Sequence, residues 1–472
     1  MKQIVTFLFV VIPITLSAEI YEGRTGSCTY SLNTETFTLT IAGEGKMRDY
    51  SENNKQYHEY ADYINIVKIE EGVTNIGNAA FQGLTKLKDI TIPNSVVALG
   101  NNVFDGCTSL QSISLPNSIN VIGNYAFQGC SNLLSIKLSD ECTSLGQYVF
   151  KDCNSLTSIK IPEKLMEINE NTFANCTGLK TIKFPKGLKS IGKNAFSSCT
   201  GLVSIAIPDS VTTIDDYAFY YCTGLTSVKL PKRLQTIGKY AFSNSKSLKS
   251  IIIPEGVISI GSYAFSYCEN LELISIPSTI TNLGNAVFRT NFSLKDVYCF
   301  LEDYPKSSEV FYNTNADAIK NTPTLHVVSG LESVFSKWGF RQVVALTDKD
   351  YDLSQRYCSL PTIEYVNGVL KFSCDTENVT FVTDISSQDI NTFFSSEIPL
   401  TFSYDICVYA TKERCVDSEM VYATITWKDG KIIMEGITNA EPEKLKGDVN
   451  EDGAVDINDV VNIINIMAGQ SE

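Results

Sequence analysis

At 472 residues the chain is too long for one ordinary hydrophobic core, and 43% apolar against 19% charged residues is the balance of a folding chain, not a disordered one. A formal net charge of -15 argues against a nucleic-acid-binding role, which needs a basic surface, and against docking on anionic lipid.

The N-terminus reads as an export signal over residues 1–18. Lys2 precedes an apolar run over residues 4–16, and the small Ser17 and Ala18 follow it. The run is too short to span a bilayer and has the length of a signal peptide's apolar core. No later segment is apolar enough to cross a membrane. The mature chain is therefore expected to be secreted or held at the cell surface, without membrane insertion.

From about residue 70 a 23-residue period takes over. Phe recurs at Phe81, Phe104, Phe127, Phe150, Phe173, Phe196, Phe219, Phe242, Phe265 and Phe288, and Leu follows six residues after each. Pro closes the short apolar segment at Pro93, Pro116, Pro162, Pro185, Pro208, Pro231, Pro254 and Pro277, with Ser139 the one gap. The coil consensus is I-G-x-x-A-F-x-x-C-x-x-L-x-x-I-x-I-P. Leu110, Ile113 and Leu115 have the spacing of a short strand facing a core, and Pro116 ends it for want of an N–H. Ala126, Phe127, Cys130 and Leu133, three to four apart, predict a helical turn on the opposite side. One coil cannot bury its apolar side alone, so stacked coils share a core. The predicted fold class is thus an α/β repeat solenoid of 23-residue coils over residues 70–299. A parallel β-helix is the rival, disfavoured because the A-F-x-x-C piece reads as helical and the period lies in the leucine-rich range. The pattern resembles the BspA-like family of bacterial leucine-rich repeats. That resemblance implies an extracellular protein of host-associated bacteria acting in adhesion or protein binding, with a cap at each end of the array, over residues 19–69 and 300–350.

Seven cysteines share one phase: Cys107, Cys130, Cys153, Cys176, Cys199, Cys222 and Cys268, with Ser245 in the missing place. A one-dimensional ladder suits neither paired disulfides nor a zinc site, so reduced thiols serving as small buried hydrophobes are expected. The outward strand positions carry Lys137, Lys160, Lys183 and Lys229, backed by a row of hydroxyls at Ser112, Ser135, Ser158, Thr181, Ser204, Ser227 and Ser250. Such a row is the candidate ligand face for an anionic partner; solvated strand surface is the alternative. A Tyr row (Tyr125, Tyr148, Tyr217, Tyr240 and Tyr263) is expected to pack rather than bind.

Over residues 355–438 the period gives way to alternating short segments, which predict a small β-sandwich resembling immunoglobulin-like modules. A charged linker over residues 441–446 follows. Residues 447–469 then place oxygen-bearing side chains at loop positions 1, 3, 5, 9 and 12 (Asp448, Asn450, Asp452, Asp456 and Asp459), with Gly453 at the sharp turn. With the Ala454 carbonyl these form a Ca²⁺ site of the kind hard cations require, and a helix is expected next. The segment resembles one repeat of a type I dockerin, which implies a cohesin-like module as partner; a full dockerin has two repeats and this chain has one.

Only two His are present, His58 and His326, and no nucleophile elbow, phosphate-binding glycine loop or His-based metal motif is found. The chain is therefore expected not to be an enzyme but an extracellular binding protein for a macromolecular ligand, protein or glycan, and not for nucleic acid. The alternative is a non-catalytic component of a polysaccharide-degrading assembly recruited by its tail. Titration calorimetry should show one Ca²⁺ bound by the tail and none after Asp448→Ala; absence of calcium heat from the unmutated tail would refute the site.

Overall fold

The computed structural model describes residues 20–51, 57–305, 309–311 and 323–351, and further on 362–366, 369–374, 379–387, 403–411, 421–428, 431–436 and 445–446. The segment expected to be an export signal and the loop expected to bind calcium lie outside the described residues.

The array is a solenoid of stacked coils, and each coil contributes two short strands. A three-residue strand such as Ser135–Lys137 pairs in parallel with Ser112–Ser114 of the coil before it, Ile136 opposite Ile113. After the Pro turn a two-residue strand such as Val121–Ile122 pairs with Ala98–Leu99 on one side and Ser144–Leu145 on the other. Period two sends the middle residue of the longer strand inward, so Ile113, Ile136 and Ile159 are buried while Ser114, Lys137 and Lys160 are exposed.

The expected helical turn does not form. Among the described residues the one α-helix is Glu332–Phe335, outside the repeats. The A-F-x-x-C side is instead a run of tight turns, because two residues per coil are left-handed: Tyr125 at φ 60° and Gly129 at φ 67° bracket Phe127. Left-handed backbone breaks the helical ladder and frees the intervening N–H groups. Tyr125, Phe127 and Gly129 donate theirs to the carbonyls of Gln147, Val149 and Lys151 on the next coil, at 2.9, 2.9 and 2.8 Å. The same triplet recurs at Asn194, Phe196 and Ser198, which reach Asp216, Ala218 and Tyr220. A third ladder thus runs along the axis where intracoil helix bonds were expected.

Coils joined this way come very close. A Cβ on Gly123 would sit 2.5 Å from the carbonyl carbon and oxygen of Gly100, so glycine at the I-G step lets that coil lie close on the one before it, while Asn169 and Asp215 stand at the same phase in two other coils. Inside, the Phe rings form one column. From Phe81 to Phe311 successive centroids are 5.0–5.6 Å apart and the planes 2–21° from parallel. Phe311 continues the period one coil beyond the ten recognised above, where the motif around it has lapsed.

Both ends are closed. Strands Ile20–Thr25, Cys28–Asn33 and Thr38–Ala42 form an antiparallel meander whose last member pairs in parallel with Ile66–Ile69. Tyr57 sits under Phe81 at 6.5 Å and its hydroxyl donates to the Ala80 carbonyl. At the other end Thr324–Val327 and Gln342–Ala345 extend the sheet of longer strands, and Trp338 packs on Phe311 at 5.1 Å. The single-turn helix Glu332–Phe335 lies between those two strands in the chain.

Downstream, Thr362–Val366 and Val369–Ser373 form an antiparallel hairpin. Thr380–Ser387, Ser403–Thr411, Val421–Lys428, Lys431–Gly436 and Leu445–Lys446 form an antiparallel sheet in chain order. The last of these falls in the stretch expected to be linker, because Leu445 and Lys446 pair with the edge of Lys431–Gly436.

Truncating one ring tests the column. Phe196→Ala should cost about 3–5 kcal/mol, by loss of burial and of ring contact on both sides. A denaturant-midpoint comparison giving a loss below about 1 kcal/mol would show that the coils do not depend on it.

Candidate functional site

The longer strands compose one face of the solenoid, and every candidate lysine lies on it. Lys160 and Lys183 are register partners on adjoining strands, Lys137 pairs with Ser114, and Lys229 pairs with Ala206. Lys137, Lys160 and Lys183 are exposed and Lys229 is half-buried. The structure therefore brings three of the four together on neighbouring coils. Lys160 approaches Asp140 at 3.4 Å, but both side chains are more than half exposed, so the pair is weak and leaves the ammonium available.

The face changes along its length. Its outward positions run from Thr91 and Ser114 through the three exposed lysines to Ala206, Lys229, Ile252 and Ser275. Ile252 is 3% exposed and Ser275 1%. The hydroxyl row beside them changes in step, half-buried at Ser112, Ser135 and Ser158 and buried at Ser204, Ser227 and Ser250.

Beyond Ser275 the same row continues through Tyr298 and His326, which are register partners. Their rings stack at 4.4 Å, and His326 Nε2 lies 3.2 Å from Asp296 Oδ1. This polar aromatic cluster was not foreseen: Asp296 and His326 are 30 residues apart and meet only through strand register across an interrupted repeat. The contact is a single hydrogen bond, and it orients the imidazole.

The cysteine ladder does more than fill space. Each thiol donates to the carbonyl of the Phe one coil earlier: Cys107 to Phe81 at 3.1 Å, Cys130 to Phe104 at 3.1 Å and Cys199 to Phe173 at 3.1 Å. That role accounts for Ser245, whose hydroxyl takes the same position toward Phe219, and for Asn291, whose amide reaches Phe265. All seven ladder cysteines are free and buried. Burial pushes the thiols of Cys222 and Cys268 up to about 12 from an ordinary 9.0. Among the described residues no group of three or more His, Cys, Asp or Glu converges as a metal site.

The Tyr row packs, as expected. Tyr125 and Tyr148 stack at 4.6 Å, Tyr217 and Tyr240 at 4.9 Å, and Tyr240 and Tyr263 at 4.8 Å, so the ring faces are spent on one another. All five are left-handed, φ 55–62°, a conformation that Asn102, Asn171 and Asn194 adopt at the same phase in other coils.

Asp448, Asn450, Asp452, Ala454, Asp456 and Asp459, expected from the sequence to hold calcium, lie outside the described residues. No helix among the described residues is long and apolar enough to cross a membrane.

The family model described as the BspA type leucine rich repeat region matches residues 53–180, 143–245 and 212–337, more than half of the chain. No curated protein matches. Three solved structures are similar in part. A leucine-rich repeat protein from Eubacterium ventriosum is 20% identical, covering 69% of this chain and 85% of its own, with a TM-score of 0.41. One from Bacteroides ovatus is 25% identical over 64% of this chain and 98% of its own, TM-score 0.34. A leucine rich cell surface protein from Faecalibacterium prausnitzii is 25% identical over 60% of this chain and 95% of its own, TM-score 0.35.

The ladder yields a thiol count. The seven cysteines should resist alkylation in the native protein and all be alkylated in denaturant without reductant; a bridge between successive ladder positions would contradict the assignment. Because burial raises their folded pKa, the folded state binds more protons than the unfolded one above pH 9, so stability should fall as pH rises from about 9 toward 12. Alkaline denaturation curves check the sign.

Proposed function

The chain belongs to the BspA-type leucine-rich-repeat family, and from that premise we propose that it is an extracellular, non-catalytic binding protein whose strand face engages a macromolecule. The observation that carries this reading is the exposed row of Lys137, Lys160 and Lys183 on neighbouring coils. Strands in a sheet lie about 4.8 Å apart, so ammonium groups recur at roughly that interval. Such a row matches the sulfate or carboxylate groups of an extended polyanion, either an acidic glycan or an acidic protein flank. A small metabolite would instead want a concave apolar pocket. Secretion or surface display is supported by the export-signal pattern read over residues 1–18 and by the family.

The C-terminal tail, on the sequence reading, would hold one Ca²⁺ through Asp448, Asn450, Asp452, Asp456, Asp459 and the Ala454 carbonyl, and would recruit a cohesin-like module. Recruitment would place the solenoid in an assembly without changing what its face binds.

A heparin-like polymer and a polyuronate serve as probes. At low salt the chain should bind at least one of them, and the Lys137, Lys160 and Lys183 triple Ala variant should bind roughly tenfold more weakly. The difference should shrink as ionic strength rises, since exposed charges are screened over about 8 Å at physiological salt. Equal binding by both proteins would remove the row as the site.

A further inference from the structure

The strand face is open at one end and closed at the other, and the closure needs a cause. Outward positions of a sheet stand in solvent unless something lies on them. Ile252 at 3% and Ser275 at 1% exposure are outward positions, as are Ser204 at 4% and Ser250 at 5%. The hydroxyl oxygens of Ser204 and Ser275 are buried without a hydrogen-bond partner, which is how small side chains look beneath a close apolar contact. The residue types agree: this half carries Ala206, Ile252 and Ser275 outward with one half-buried lysine, Lys229, where the open half carries three exposed lysines, and the small side chains allow close approach.

We propose that the antiparallel β unit between Thr362 and Lys446 docks on the strand face between Ser204 and Tyr298, leaving the coils from Thr91 to Lys183, with the three exposed lysines, open to a ligand. The chain leaves the solenoid beside that face, where Tyr351 packs on Phe300 at 5.3 Å. The ten residues 352–361 then reach as far as roughly 33 Å when extended. Four coil steps from Tyr298 back to Ser204 span only about 19 Å. Charge also favours the pairing: residues 352–446 carry fifteen Asp and Glu against eight Lys and Arg, and the face they meet is bordered by Lys183 and contains Lys229. Docking makes the downstream unit a ruler that sets how much of the face a ligand can use. The inference rests on the strand face being the binding surface only for its consequence; the docking itself needs no ligand.

Carbodiimide coupling of the full chain at low concentration, read by peptide mass spectrometry, tests it. Lys295 and Glu272, 2.7 Å apart, provide the internal control. The expected result is coupling of Lys183 or Lys229 to carboxylates of residues 362–446 within one chain. Ile252→Lys should reduce that coupling by roughly fivefold or more, because it places a charge in the contact, while the control pair is unchanged. Coupling of both lysines only within the solenoid, to residues 1–19, or between isotopically distinct copies would overturn the proposal. Polyanion binding, measured separately, can fail without touching this result.

Discussion

A coil of 23 residues is too small to bury its own apolar side chains and too short to satisfy its own backbone. Everything else in the solenoid follows from handing both debts to the next coil. The N–H groups of the turn side find carbonyls one coil on, the short strands pair in parallel on the other two sides, and the Phe rings stack at 5.0–5.6 Å along the axis. These spacings have to agree. A ring column near 5 Å and strand ladders near 4.8 Å can share one structure only if each coil repeats its neighbour with almost no slip. That requirement explains why glycine fills the I-G step in most coils, and why a thiol, a hydroxyl or an amide at the cysteine phase all aim at the same Phe carbonyl.

A one-dimensional structure of this kind has two vulnerable places, its ends. The protein treats them differently. The N-terminal meander supplies three antiparallel strands and sets Tyr57 under the Phe column. The C-terminal closure adds two parallel strands and a single-turn helix, and places Trp338 over Phe311 with Phe335 packed against Trp338. In both cases an aromatic residue from outside the repeat ends the column, so the last ring is not left facing water.

Function has the freedom the core lacks. Inward strand positions are held to Ile, Val and Leu by the shared core, whereas outward positions one residue away can change from Thr to Lys to Ile without disturbing the stack. The face is thereby a surface on which charge is written coil by coil. Its charged stretch lies in the middle of the array, and its neutral, buried stretch lies toward the end from which the chain departs.

The sequence by itself determined the solenoid, its period and the identity of the core residues, because each is a local pattern repeated ten times in one phase, and the same phase places the four lysines in one row. It misled on the turn side. Residues three and four apart suit a helix and a chain of β-turns equally, and what decides between them is the left-handed backbone at positions such as Tyr125, which no side-chain pattern announces. The hydrogen bond from each thiol to a Phe 26 residues earlier, the meeting of Asp296 with His326, and the loss of exposure from Lys183 to Ser275 were likewise decided only by tertiary structure. All three depend on how closely one coil or unit approaches another, a distance set by the summed packing of the stack and not by the residues of any one coil.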